Sequence, residues 1–328
     1  MHADKKILIL GGAGFIGTTL SPFLKECGYD ITVVDIGWFG NHLPNNIHFI
    51  KADIFDLKIN DLKAFHTVIF LAGLSNDPMA EFSPKDNFIY NTGLPAYIGY
   101  LAKEAGVKRV IFASSCSVYG YTHNRTFTED DIAISNYPYG VSKLQGEKAL
   151  LALADENFSV ICFRQGTVCG YSARMRLDLA INTMFKNALS NKEIKLSNHK
   201  IWRPILGLTD LCNAYKLGVE SDLEFGQVIN LSSFNTTIGD LAKQVKEFML
   251  EFCELEINIT DSHVEDYRNY KVSTEKAENL LGFKAVQDGL SIINDLHKNL
   301  AHFSDFNDES FYNIEVFKKL MMSKPIGS

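Results

Sequence analysis

Hydrophobic positions along the first half of the chain come in short solid blocks separated by amphipathic stretches. Ile7-Leu8-Ile9-Leu10 is apolar throughout, Phe15 to Cys27 carries its apolar residues at helical spacing, and Ile31 to Val34 is apolar again. The alternation continues through Ile47 to Ile50, Val68 to Leu71, a helical segment from Leu94 to Ala105, and Val110 to Ala113. Gly106 sits where a helix end needs a left-handed residue. Short runs without polar alternation fit strands covered on both faces, so the pattern predicts an α/β fold with a doubly wound, mostly parallel sheet. Val160 to Phe163 and Val228 to Leu231 read as further strands of that sheet.

Beyond about Arg164 the rhythm loosens. Tyr171 to Leu206 mixes arginine, asparagine and aromatic residues, and the chain from Asn235 is mainly helical with one strand-like piece, Glu256 to Thr260. The expected division is a larger lobe of residues 1–165 plus about 205–235, and a smaller lobe of about 166–204 and 236–328. Phe306 to Met322 has near-helical apolar spacing and reads as a helix docked on the body.

Composition narrows the classes. The 328 residues are 46% hydrophobic and 22% charged, with a formal net charge of −7. An acidic chain with no Lys/Arg run offers nothing to nucleic acid or an anionic membrane, so any phosphate must be met by a few placed groups. No apolar run approaches the roughly 20 residues of a membrane helix. Cys27, Cys116, Cys162, Cys169, Cys212 and Cys253 form no CxxC pair, and most sit in apolar surroundings as expected of reduced thiols in the cytoplasm. The nine histidines show neither HxxxH spacing nor a carboxylate grouping along the chain, so no metal is expected.

Gly11-Gly12-Ala13-Gly14-Phe15-Ile16-Gly17 follows a strand and opens a helix, the context that turns a glycine pattern into a dinucleotide fingerprint. Gly11 allows the tight turn, Gly14 lets backbone approach a pyrophosphate, and Gly17 lets helix and strand pack closely. Asp35 ends the next strand about 20 residues on, where a carboxylate accepts from a ribose diol and repels a 2′-phosphate, favouring NAD over NADP. Asp53, after the third strand, is either an acceptor for an adenine amino group or a turn aspartate.

Tyr139-Gly140-Val141-Ser142-Lys143 places a phenol and an ammonium at i and i+4 on one helix face. An ammonium beside a phenol is expected to pull its pKa down from about 10 towards that of a useful general base. Upstream, Ser114-Ser115-Cys116-Ser117-Val118-Tyr119-Gly120 lies at the C-terminal end of an apolar strand, the edge where open α/β sheets bind ligands.

With these motifs in order, residues 5 to 290 resemble an extended short-chain dehydrogenase/reductase of the nucleotide-sugar epimerase/dehydratase family. The resemblance implies a Rossmann lobe for NAD and a smaller C-terminal lobe for a nucleoside-diphosphate sugar. It makes Ser115, Tyr139 and Lys143 the catalytic triad, with Tyr139 and Lys143 also meeting the cofactor. Gly11, Gly14, Phe15, Ile16, Gly17, Asp35, Asp53, Ile54, Leu71, Ala72, Gly73 and Asn91 are the further cofactor positions. Ser117, Thr167, Arg174, Arg176, Asn182, Arg203 and Arg268 fall to the substrate, the arginines because guanidinium forks match phosphate oxygens. Thr209-Asp210-Leu211 follows the strand expected near the diphosphate. A homodimer through the helices after Leu94 and after Tyr139 is also implied.

Departures from the family pattern limit the chemistry. Phe70-Leu71-Ala72-Gly73 stands where His-x-Ala-Ala is usual, and Thr167 where many relatives carry Asn. Dehydratases place Asp-Glu directly after the catalytic hydroxyl residue, whereas this chain has Cys116-Ser117, which disfavours elimination. The leading expectation is Tyr139 deprotonating a sugar hydroxyl, with hydride passing to NAD from C4 and returning on the other face, as in a 4-epimerase. A net C4 dehydrogenase, for example of a GDP-linked sugar, and a non-catalytic NAD-binding module are the alternatives.

Overall fold

The computed structural model describes residues 6–121, 125–263 and 269–322. Its large sheet contains β1 (Lys6–Leu10), β2 (Asp30–Asp35), β3 (His48–Lys51), β4 (Thr67–Phe70), β5 (Arg109–Ser115), β6 (Ser159–Gln165) and β7 (Gly226–Leu231). All pairings are parallel, in the order β7-β6-β5-β4-β1-β2-β3, so β1 lies between β2 and β4. The main helices are α1 (Gly17–Glu26), α2 (Leu94–Glu104), α3 (Pro138–Leu151), α4 (Ala180–Asn191), α5 (Leu208–Glu220), α6 (Ile238–Cys253), α7 (Gly289–Lys298) and α8 (Asn313–Met322).

Successive strand residues point to opposite faces, and here both faces are covered. Ile7, Ile9, Ile31, Val33, Ile69, Ile111 and Ile161 join α1 and α5 in one core. Leu8, Leu10, Val34, Val68, Phe70, Val110, Phe112 and Val160 meet Leu94, Ile98 and Leu101 of α2 and Leu150 of α3 in the other. The solid apolar blocks of the sequence have this double burial as their cause.

Thr167–Cys169, Trp202–Gly207 and Phe234–Thr237 form a separate three-stranded sheet, beside which α4, α6 and α7 pack on one another. Their core residues, such as Phe185, Val245 and Ile293, are continuous with the first core of the large sheet. The strand-like Glu256 to Thr260 forms Asn258–Asp261, paired in parallel with Glu193–Leu196. The expected terminal helix from Phe306 begins only at Asn313. Asp305 and Asp308 accept from the backbone N–H groups of Asn307 and Ser310, and these local turns compete with a helix.

Behind β5, Glu147 of α3 takes a bidentate ion pair from Arg164 of β6 and a hydrogen bond from Ser114 Oγ at 2.5 Å. Glu147 is 1% exposed, so these partners take the place of water around its carboxyl group. They lock α3 against the C-terminal end of β5, which fixes Lys143 relative to Ser115.

Candidate active site

A cleft of about 500 Å³ opens at the C-terminal edge of the large sheet. Gly11, Gly14, Phe15, Ile16 and Gly17 line one end of it. Helix α1 starts there with no side-chain cap and no acidic residue in its first turn, leaving its positive dipole end for an anion. The carboxylate of Asp35 accepts from Ala13 N–H at 3.0 Å and Gly37 N–H at 2.8 Å, so it also braces the glycine turn. Burial raises its pKa, and those two N–H groups oppose the rise. Asp53 lines the cleft with Ile54 and accepts from Phe55 N–H, so the turn role and a free face on the cleft coexist. Leu71, Ala72 and Gly73 form the floor.

Ser115, Tyr139 and Lys143 meet at the middle of the same cleft. Tyr139 shares a hydrogen bond with Ser115, and Lys143 Nζ donates to Ala113 O at 3.0 Å. Ser115 Oγ lies 3.1 Å from Ser117 Oγ, which is 3.3 Å from Tyr270 Oη, giving a row of hydroxyls from the phenol into the smaller lobe. The expected lowering of the phenol pKa is not met. Burial pushes Tyr139 up, with the Ser115 bond and the Arg176 charge opposing it and the Asp77 charge adding to it. Lys143 Nζ sits 6.0 Å from the tyrosine ring centroid, and desolvation outweighs it.

Burial also lowers Lys143, from 10.5 to about 8, against the pull of Glu147. With its folded pKa below the unfolded one, holding its charge costs stability at every pH below about 8. That cost fades as pH rises towards 10.5. Lys143→Met, which keeps the stem without the charge, should therefore raise the Tm of cofactor-free protein near neutral pH and lose that gain at alkaline pH. Thermal scans across pH test this, and a lower Tm near neutrality would show that the bond to Ala113 O outweighs desolvation.

The segment Ser172 to Asp178 crosses over the cleft. Its Ser172 Oγ donates to Phe15 O at 2.7 Å, anchoring it on the glycine turn. Arg174, assigned to the substrate by its sequence context, lies instead at the Asp35 end. Its guanidinium stands 3.7 Å over the Phe39 ring and donates to Asn313 Oδ1 at 2.5 Å. Only 3% exposed, it has a pKa lowered by burial to about 9, and its Nε has no partner. Arg176 forms a two-point pair with Asp178, whose carboxylate also accepts from Asn76, beside Tyr139. Arg203, Thr167 and Ser117 line the far end, with Arg203 over the Tyr270 ring at 5.5 Å.

Two residues assigned from the sequence fall off the cleft wall. Asn91 lies behind it in a π-helical turn, Ile89–Gly93, donating to Leu74 O, Asn87 Oδ1 and Ser142 Oγ, while its own Oδ1 is buried without a partner. Asn182 is wholly buried and spends its amide on Gly170 and Arg176 O. Asp210, after the strand Trp202–Gly207, ties Val286 N, Gln287 N and Ser233 Oγ together. Arg268 lies outside the described residues. The cleft also contains Trp38, Phe39, Asn76, Asp77, Asp178, Tyr270 and Asn313, which the sequence reading had not assigned to the site. Of these, Asp178 stood two positions from Arg176 and Tyr270 two from Arg268, whereas Asn313 gave no local signal.

These surroundings suit NAD. A side chain at Gly11 or Gly17 would strike backbone at 2.5 or 2.3 Å, whereas Gly14 keeps a clear face on the cleft.

The UDP-glucose 4-epimerase of Corynebacterium glutamicum is 25% identical over 302 residues, covering 85% of this chain and 90% of that one. The Bacillus subtilis UDP-glucose 4-epimerase is 30% identical over 173 residues, 48% of this chain and 51% of that one. The structure of MoeE5 in complex with UDP-glucuronic acid and NAD superposes with a TM-score of 0.80 at 26% identity, over 90% of this chain and all of that one. A family model matches residues 7–232, from the first strand of the large sheet to the end of its last, and the chain belongs to the NAD-dependent epimerase/dehydratase family.

Proposed function

We propose that the protein oxidises C4 of a nucleoside-diphosphate sugar and returns the hydride to the opposite face, a 4-epimerase reaction. The observation that carries this is the meeting of Ser115, Tyr139 and Lys143 in one cleft with the uncapped glycine-turn helix. Bound NAD supplies the hydride acceptor and donor at its nicotinamide. Tyr139 Oη takes the sugar hydroxyl proton, Ser115 Oγ hydrogen-bonds the same oxygen, and Lys143, fixed by Ala113 O, supports the phenolate. Cys116 and Ser117 stand where elimination would need acids, which favours hydride return over loss of water.

Residues 1–165 with about 205–235 serve as the cofactor lobe and about 166–204 with 236–328 as the sugar-nucleotide lobe, a division that the pairing of β7 with β6 supports. Gly14 and α1 receive the cofactor diphosphate, Asp35 the adenosine ribose and Asp53 the adenine. The position of Arg174 towards Asp35 supports a role on the cofactor side for it, with Arg176, Arg203 and Arg268 serving the substrate. Exposed Tyr97 and Tyr100 on α2, with Phe88 and Ile89 nearby, support a homodimer through α2 and α3. Six free thiols support a cytoplasmic setting.

The test is to denature purified enzyme, identify the released nucleotide and its redox state, and supply UDP-, GDP-, CDP- and dTDP-sugars. Relatives named for UDP-glucose put UDP-hexoses first. Retained NAD with inverted product and no accumulated NADH is expected. NADH that rises and stays would replace the epimerase with a net dehydrogenase, and silence with every sugar would leave a binding module. Light scattering on the same preparation reads the dimer.

A further inference from the structure

Away from the cleft, the chain brings together a group that its linear spacing conceals. His199 follows the strand Glu193–Leu196, and Asp261 and His263 lie at and just beyond the end of its partner strand Asn258–Asp261. One potential ligand atom from each residue lies within 4.8 Å of the others. Asp261 Oδ2 is 2.5 Å from His199 Nδ1 and 3.5 Å from His263 Nδ1. The two imidazoles stand nearly perpendicular, ring centroids 5.8 Å apart, on either side of that carboxylate.

The scaffold beneath is fixed. His199 N–H donates to Asp261 Oδ2 and His199 O accepts from Gly239 N–H, while His263 N–H donates to Asp261 Oδ1. These backbone donors hold the Asp261 carboxylate in place between the two rings. His263 adopts φ +53, a left-handed backbone unusual for a residue with a side chain, and this turn sets its ring beside Asp261. Both imidazoles keep wide solvent access, with side-chain exposures of 44% and 71%, so an ion can reach them.

We propose that His199, Asp261 and His263 form a binding site for one divalent transition-metal ion of the zinc type. Two imidazole nitrogens and one carboxylate oxygen are the donor set such ions favour, whereas calcium and magnesium prefer all-oxygen shells. Ligand atoms about 2.0–2.2 Å from a shared zinc stand roughly 3.3–3.6 Å apart in a tetrahedron, so His263 Nδ1 already has the spacing from Asp261 Oδ2 while the exposed His199 ring must swing outward from it. Three protein ligands leave a fourth position for water.

The location gives the ion a structural consequence. The two stretches of chain meet again where Asn269 Oδ1 accepts from Trp202 N–H and Tyr270 N–H donates to Trp202 O. The next residues of each, Arg203 and Tyr270, line the cleft. The ion therefore staples the outer end of the pair of segments that carries these residues. This inference is independent of the reaction performed in the cleft.

The test uses chelator-treated full-length enzyme titrated with Zn²⁺ by calorimetry and with Co²⁺ by visible absorption, which reports the coordination geometry and shows thiolate ligands by charge-transfer bands. One equivalent is expected to bind and to raise the Tm. His263→Ala removes an exposed ring and should weaken binding at least tenfold, as should His199→Ala, while neither changes the NAD content. Absence of saturable binding overturns the site. So does binding that survives in the His199→Ala/His263→Ala double variant, since the ion would then lie on other donors such as Cys27 or Cys253.

Discussion

Replacing Tyr139 with phenylalanine is expected to lower kcat roughly 10³-fold, within the range lost with a positioned general base, while NAD content and sugar-nucleotide KM stay close to those of the wild type. The variant removes one oxygen and keeps the ring that fills the cleft wall, so the fold has little reason to change. The environment sharpens the prediction. Burial raises the phenol pKa, with only Ser115 and the more distant Arg176 pulling it down. A phenol kept neutral by burial in the resting protein can accept the sugar proton only after giving up its own, so the transfer begins when substrate enters and the surrounding charges change. Steady-state kinetics with the substrate identified by the sugar panel, alongside nucleotide extraction, checks both halves. Full turnover by the variant would remove oxidation through Tyr139, and with it both the epimerase and the net dehydrogenase. A parallel loss of NAD would instead make Tyr139 a cofactor anchor.

What was legible in the sequence divides by physical range. The strands of the large sheet were visible because each is buried on both faces, leaving a solid apolar run that requires no knowledge of its neighbours. The glycine turn and the Tyr139/Lys143 pair were visible because their geometry is set within a few residues. Which anion Arg174 faces is not legible in the sequence, because residue type reports affinity for anions, not which anion is near. Its position is decided by Phe39, Asn313 and the anchoring of Ser172 on Phe15, contacts made across most of the chain. Asn91 and Asn182 were read as ligand groups, yet buried backbone needs partners too, and their amides serve that need. The phenol pKa was misjudged in the same way, since spacing gives the approach of an ammonium but not the loss of water. His199 and His263 escaped notice because Asp261 joins them only through the pairing of two short strands.

The glycine turn offers the second large effect, through a contrast among three alanine substitutions. Gly11 has φ +80, and an added Cβ would lie 2.5 Å from Ala72 N and 2.6 Å from Ala72 Cα. Both are backbone atoms, so no rotamer relieves the clash, and the left-handed conformation adds about 1–2 kcal/mol. At Gly17 the Cβ would meet Gly12 O at 2.3 Å and Gly12 Cα at 2.4 Å, forcing the turn away from its helix. Gly11→Ala should lose roughly 3 kcal/mol or more of stability, overpacking plus backbone strain, and Gly17→Ala about 1–3 kcal/mol from overpacking alone. Gly14 differs: its Cβ would touch only Gly11 O, at 3.4 Å, and otherwise face the cleft. Gly14→Ala should therefore fold with nearly the wild-type Tm yet bind NAD on the order of 100-fold more weakly, about 2.7 kcal/mol, because the methyl group occupies space reserved for the diphosphate. Thermal scans of the cofactor-free variants, paired with NAD titrations, separate the two effects. Wild-type affinity in Gly14→Ala would mean that the diphosphate does not cross this turn. A fall in Tm as large as that of Gly11→Ala would mean that the residue is glycine for the sake of the fold, and the free start of α1 would then have to be explained without a ligand.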